Sequence, residues 1–306
     1  MNETAKPLII PPSLQPGDTI GLVAPAGPVR DREVFDFGCR FLEEQGFQLR
    51  IPADLFNQQG YLAGSDHDRA RQFTAIWQDP EIKMVLAVRG GYGCLRLLPL
   101  MDLARLATTP KILAGFSDLT VLLNEFSHLT GLVTFHAPML NTLARSDEGS
   151  RENFLGMLAG CASGSTTPDG LEILRSGQGC GRLVGGNLTS LVHLIGTTHE
   201  INWRDAILFL EDTGEAPYRV DRLLTHLERA GCLGDLAGLI LGTFTDNSGM
   251  EENWTPSVWK RVLEVAGGKY PIWGNFPVGH GSRNLSLPIG VSAEMDSESG
   301  TLRFAP

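Results

Sequence analysis

The chain predicts an α/β protein whose first half is built on a mainly parallel sheet. Two patterns carry that reading. Short apolar runs of strand length alternate with longer segments whose apolar residues recur at helical spacing. The apolar runs stop at turns rich in glycine or proline, and strands separated by whole helices pair in parallel through βαβ crossovers.

Asp18–Ala24 is the first strand, stopped by Pro25-Ala26-Gly27-Pro28. Val34, Phe37, Phe41 and Leu42 mark a helix over Arg32–Gln45, and Gly46 supplies the left-handed residue that ends it. Phe47–Ile51 is the next strand. Asp66–Trp77 has the polar, arginine-rich pattern of a surface helix that ends before Pro80. Ile82–Val88 reads as a buried strand followed by the turn Arg89-Gly90-Gly91-Tyr92-Gly93, and Ile112–Phe116 as another, followed by Ser117 and a helix over Leu119–His128. Sites in such sheets lie beyond the carboxyl ends of the strands, where both Arg89-Gly90-Gly91 and Ser117 fall. Residues 161–181, rich in Gly, Ser and Thr, read as a linker between a domain over 1–160 and a second over 182–306. In the second, Gly185–Ser190 leads into a helix, Ala206–Leu210 and Leu236–Leu241 are strands, and Val220–Ala230 is an amphipathic helix.

Composition narrows the function. The 306 residues are 42% hydrophobic and 20% charged, which is the balance of a folded globular protein. A net charge of −10, without a Lys/Arg cluster, argues against a nucleic-acid partner. The cysteines Cys39, Cys94, Cys161, Cys180 and Cys232 are scattered and form no CxxC pair, so a zinc ribbon or redox dithiol is unsupported. There is no HExxH and no histidine cluster at metal spacing. Leu8-Ile9-Ile10 is cut off by Pro11-Pro12, and no run of 18 apolar residues occurs, so the expectation is a cytoplasmic protein without membrane attachment.

A serine between a strand and a helix sits on a tight turn, its hydroxyl standing above the sheet beside the amides of a helix start. Ser117 fits that description, and fits equally a helix N-cap. A serine nucleophile needs a base and a group to orient it. Of seven histidines, His67, His128, His193, His199 and His226 lie in or beside helical segments and read as structural or solvent-facing. His136 follows a strand-like stretch and reads equally as cleft-lining or buried. His280 stands between Gly279 and Gly281, which let the backbone approach closely while the imidazole projects, and it reads equally as a turn residue. Glu211 and Asp212 end the strand Ala206–Leu210 and offer an orienting acid at the sheet rim, with Glu215 a rival in the same loop. The turn after Arg89 lacks the spacing of a P-loop or GxGxxG, but consecutive glycines can present amides to an oxyanion.

These segments together resemble the LD-carboxypeptidase family of serine peptidases. The matching stretches are Pro16–Gly27, Arg89–Gly93, Gly115-Phe116-Ser117-Asp118, Phe135–Met139, Gly185–Leu188, Leu210-Glu211-Asp212, Val278-Gly279-His280 and Leu287–Gly290. They follow the family's order over nearly the whole chain; Ala137-Pro138 stands where many relatives have Gly-Pro. The resemblance implies a flavodoxin-like N-terminal domain with a parallel sheet that bears the serine, and a smaller mixed β/α C-terminal domain, with the active site in the inter-domain cleft. It implies a catalytic triad of Ser117, Glu211 and His280, with Glu211 chosen over Glu215 by its place in the motif. The oxyanion hole would be the backbone amides of Asp118 and Gly91, and Arg89 and Gly90 would contact substrate. The implied reaction is hydrolysis of the bond between an L-centred diamino acid and the terminal D-Ala of a murein tetrapeptide in peptidoglycan recycling, by a homodimer that needs no metal or organic cofactor. The alternatives are a peptidase of the microcin C immunity type, with Trp203 and Trp254 available to stack a nucleobase, and a non-catalytic binder of cell-wall peptides.

Overall fold

The first of two units is framed by a parallel sheet. Its strands are β1 (Thr19–Val23), β2 (Gln48–Arg50), β3 (Ile82–Ala87), β4 (Ile112–Gly115) and β5 (Thr134–His136), in the order β2-β1-β3-β4-β5. That is the flavodoxin-like order, which reverses direction between β1 and β3 and opens a crevice at their carboxyl ends. A further strand, β12 (Leu287–Ile289), pairs antiparallel with β5. β3 and β4 are buried almost throughout, as expected of central strands covered on both faces. The covering helices include α1 (Arg32–Glu44), α2 (Asp66–Gln78), the short α3 (Leu103–Leu106), α4 (Thr120–Thr130), the short α5 (Leu140–Leu143) and α6 (Glu148–Gly160). α1 is capped by Asp31, whose carboxylate accepts from Val34 N, and α2 by Ser65, which accepts from Asp68 N. Phe73 and Trp77 of α2 stack with Phe126 of α4 in the core.

The second unit holds a mixed sheet in the order β6-β14-β13-β8-β9-β10-β11-β7. Its strands are β6 (Gly164–Thr166), β7 (Glu172–Arg175), β8 (Gln178–Asn187), β9 (Ala206–Thr213), β10 (Gly238–Thr245), β11 (Ile272–Gly274), β13 (Ser292–Asp296) and β14 (Thr301–Ala305). β8, β9, β10 and β11 run parallel, and β13, β14, β6 and β7 pair antiparallel at the flanks. α7 (Leu188–Val192) follows β8, α8 (Pro217–Arg229) follows β9, and α9 (Thr255–Val265) precedes β11. The first unit comprises Met1–Ala162 with Ser286–Gly290, and the second Ser163–Leu285 with Val291–Pro306. The computed structural model describes residues 6–160, 162–245 and 255–305; Cys161 and Trp254 lie outside the described residues.

Three expectations need correction. Of the expected linker 161–181, the described residues 162–181 hold β6, β7 and the start of β8, paired to β14, β11 and β13. Small polar residues suit half-exposed flanking strands, so composition alone reads them as loop. The strand at 206–210 continues to Thr213, which places Glu211 and Asp212 inside β9 rather than at its rim. The segment 286–290 belongs to the first unit, since β12 completes the sheet beside β5.

Candidate active site

Ser117 stands where β4 breaks. Phe116 is extended at φ −154°, Ser117 has φ +63°, and the chain then enters a 3₁₀ turn over Ser117–Leu119 that runs into α4. A non-glycine residue in the left-handed region costs about 1–2 kcal/mol, a strain characteristic of functional turns. The strained conformation rules out a plain N-cap, whose backbone would be extended, and no side-chain cap bond forms at this helix start. The turn is held from two sides. Asp118, nearly buried, accepts from Cys94 N at 2.8 Å through Oδ2. Gly90 lies so close that a Cβ placed on it would sit 2.7 Å from both Cβ and Oγ of the serine.

The loops after β1 and β3 meet at the switch point. Gly27 N donates to Gly90 O at 3.2 Å, and Gly91, at φ +134°, lies against the backbone of Gly27. Arg89 ties the same loops, its guanidinium donating to Gly90 O and Pro28 O, both at 3.2 Å. Burial, and then the nearby Arg30, lower the Arg89 pKa without threatening its charge. The buried Arg69 bonds Pro25 O, Gly93 O and Asp66, and Asp66 also holds Arg96 at 2.7 Å. Nothing in the sequence reading had marked Arg69; its place in a polar helix disguised it as a surface residue.

In the second unit, Glu211 is fully buried on β9 and His280 Nδ1 lies 2.6 Å from its Oε2. A carboxylate only accepts, so Nδ1 carries the hydrogen, and in the neutral ring Nε2 keeps the lone pair. Burial opposes the charged ring, but the adjoining Glu211 charge and hydrogen bond, helped by Asp212, raise the His280 pKa above its ordinary 6.5. Gly279 makes the approach possible: its φ is +120°, and a Cβ there would lie 2.8 Å from Glu211 Oε2. Asn284 closes the loop by accepting from Gly279 N at 3.0 Å. Nothing in the sequence singled out Asn284, because an amide that acts through one hydrogen bond leaves no periodic signal.

Glu215 turns outward, 3.4 Å from Arg219 on α8. His67, His193 and His226 are exposed, and His136 is buried on β5 with its ring 5.5 Å from Phe116. Trp203 is nearly buried, its Nε1 donating to Glu200 at 3.2 Å, so it does not offer the open stacking face expected of it.

The first unit thus offers a strained serine above a parallel sheet, and the second a carboxylate-held histidine. Comparison with known proteins gives the family. The LD-carboxypeptidase N-terminal domain matches residues 20–137 and the C-terminal domain residues 180–295. The murein tetrapeptide carboxypeptidase of Pseudomonas aeruginosa is 33% identical, over 90% of this chain and 92% of its own. The chain belongs to the LD-carboxypeptidase family. It is accordingly a hydrolase of the serine carboxypeptidase class. The family embraces more than one role. The microcin C7 self-immunity protein MccF of Escherichia coli is 29% identical over 95% of this chain and 93% of its own, and an MccF structure superposes with a TM-score of 0.89 at 27% identity, covering 98% and 99% of the two chains. The muramoyltetrapeptide carboxypeptidase of Oxalobacter formigenes superposes at 0.79 with 29% identity, covering 94% and 97%. No helix among the described residues is long and apolar enough to cross a membrane.

Proposed function

We propose that this LD-carboxypeptidase hydrolyses the bond between the L-centred diamino acid and the terminal D-Ala of murein tetrapeptides, as a step in peptidoglycan recycling in the cytoplasm. The observation that carries the reading is the Glu211–His280 pair, in the tautomer a general base requires, together with the strained Ser117 of the first unit. In the proposed cycle His280 Nε2 takes the Ser117 proton as Oγ attacks the scissile carbonyl. Glu211 holds the ring and balances its positive charge. The amides of Asp118 and Gly91 receive the oxyanion, D-Ala leaves with the proton from His280, and a water activated by the same histidine releases the acyl group.

Arg89 is proposed to orient a substrate carboxylate from the glycine turn. Its two bonds to backbone carbonyls support a second duty, fixing the turn beside Gly90. An L,D bond directs the D-Ala methyl oppositely to an L residue, so a site fitted to it rejects L,L peptides by clash.

The test is release of D-Ala from L-Ala-γ-D-Glu-meso-diaminopimelyl-D-Ala, followed by mass spectrometry with Ser117→Ala as control. Release by the wild type alone is expected. The likeness to MccF makes an aminoacyl sulfamoyl nucleoside the comparison substrate, and turnover of that compound without D-Ala release would replace the murein reading by the immunity one. Inactivity on both, with no covalent labelling of Ser117, would leave a binder.

A further inference from the structure

Next to Glu211 on β9 lies a second buried carboxylate that the proposed cycle does not use. Asp212 is 2% exposed and takes donors on both oxygens. Oδ1 accepts from Asn187 Nδ2 at 3.0 Å and from Thr213 N at 2.8 Å; Oδ2 accepts from Thr189 N at 3.0 Å and Thr189 Oγ1 at 2.7 Å. The donors come from the end of β8, the first turn of α7 and β9 itself. Asn187 is drawn in further, since its Oδ1 caps α7 by accepting from Ser190 N and Oγ, both at 3.0 Å. In the sheet, Asn187 is the register partner of Glu211. One carboxylate therefore fastens the neighbouring strand and helix to the residue that adjoins Glu211.

We propose that Asp212 is a positioning residue of this hydrolase, pinning the end of β8 and the start of α7 to β9 so that Glu211 keeps His280 in register, and adding its own negative charge to the surroundings of the ring. The assignment rests on the carboxypeptidase reading for its catalytic meaning. A buried carboxylate is costly to keep unless saturated with hydrogen bonds, and four donors saturate this one. A fastening alone needs no charge. Among the described residues, the charged groups about it are Glu211 beside it and His280 beyond; β8 brings Asn187, α7 brings Thr189, and β10 sets the apolar Phe244 opposite. Burial, and then the neighbouring Glu211 charge, push the Asp212 pKa up to about 6. Where Asp212 is ionised, its charge adds to that of Glu211 in favouring the protonated ring of His280.

The experiment is an NMR titration of the imidazole in the whole protein, the resonance assigned by its absence from His280→Gln, run on wild type, Asp212→Asn and Thr189→Val. Asp212→Asn is expected to lower the His280 midpoint. Thr189→Val removes one hydroxyl donor from an otherwise similar shape and weakens the ionised form of Asp212, so it shifts the midpoint the same way by less. On the tetrapeptide, Asp212→Asn is expected to lower kcat roughly ten-fold with KM unchanged, as for a misplaced catalytic group. A His280 midpoint unmoved in both variants would overturn the proposal. So would a change confined to KM or to melting temperature. If Asp212→Asn does not fold, the Thr189→Val titration decides alone. Because the titration needs no substrate, failure of the protein to release D-Ala would refute the carboxypeptidase reading while the link between Asp212 and His280 is still judged.

Discussion

Gly90→Ala offers the sharpest test of how Ser117, the proposed nucleophile, is held. Gly90 is not among the glycines with positive φ, so alanine is compatible with its backbone and the effect is one of space alone. The added methyl would lie 2.7 Å from Ser117 Cβ and Oγ, about 0.7 Å inside the 3.4 Å at which ordinary contact begins. The hydroxyl can rotate away; Cβ cannot, so the serine or the glycine turn must shift by several tenths of an ångström. A misplacement of about 1 Å costs roughly 100-fold in rate, which sets the expected loss of kcat at about 10- to 100-fold. Overpacking of this kind costs about 1–3 kcal/mol of stability, enough to lower the melting temperature without unfolding the protein. The assay is steady-state D-Ala release beside a thermal melt. Gly149→Ala on α6, where a Cβ meets nothing within 4 Å, serves as control and is expected to be neutral or slightly stabilising. A folded Gly90→Ala protein with kcat within two-fold of wild type would refute the argument that close approach of Gly90 fixes the serine.

Other consequences can be checked in the same assay. Glu211→Gln should lower kcat by about 10⁴, the scale seen when a triad acid is neutralised, whereas Glu215→Gln should stay near wild type because Glu215 pairs with Arg219 at the surface; equal losses would remove Glu211 from the triad. The base must be neutral to act, so kcat/KM should fall as pH drops through the raised His280 pKa, with the acid limb centred above 6.5; Glu211→Gln should move the residual limb downward, and an unmoved limb would separate that titration from the pair. Ser117→Gly relieves the positive φ that Ser117→Ala retains, so the glycine variant should be more stable by about 1–2 kcal/mol in denaturant melts, both being inactive; equal stability would mean that the turn stores no strain. Arg89→Ala should raise KM several-fold if its guanidinium meets a substrate carboxylate, and unchanged KM and kcat would end that assignment.

The first sheet was legible because β1, β3 and β4 are uninterrupted apolar runs and α1 repeats its apolar residues at helical spacing. Ser117 was legible for the same reason: an abrupt polar residue after a buried strand marks the switch to a helix. The second unit was harder. β6 and β7 are strands of three and four residues at the flanks of a sheet, and their pairing energy comes from distant partners that no local window contains. Glu211 read as the end of a strand because charge normally marks exposure; the His280 loop explains why it is indoors, and the donors of Asn187 and Thr189 explain Asp212 beside it. Asn187, Thr189 and Asn284 act by donating or accepting single hydrogen bonds across the fold, a role with no periodicity to reveal it.

β12 has a consequence for biogenesis. It pairs with β5 although the two are far apart in the chain, Leu287 lying 151 residues beyond His136 (287 − 136 = 151). At synthesis rates of about 5–20 residues per second, the outer edge of β5 waits roughly 8–30 s for its partner strand to leave the ribosome. An open edge of that kind recruits foreign strands. A nascent chain stalled before Leu287, or a fragment truncated there, should depend on chaperones and aggregate where the full-length chain stays dispersed.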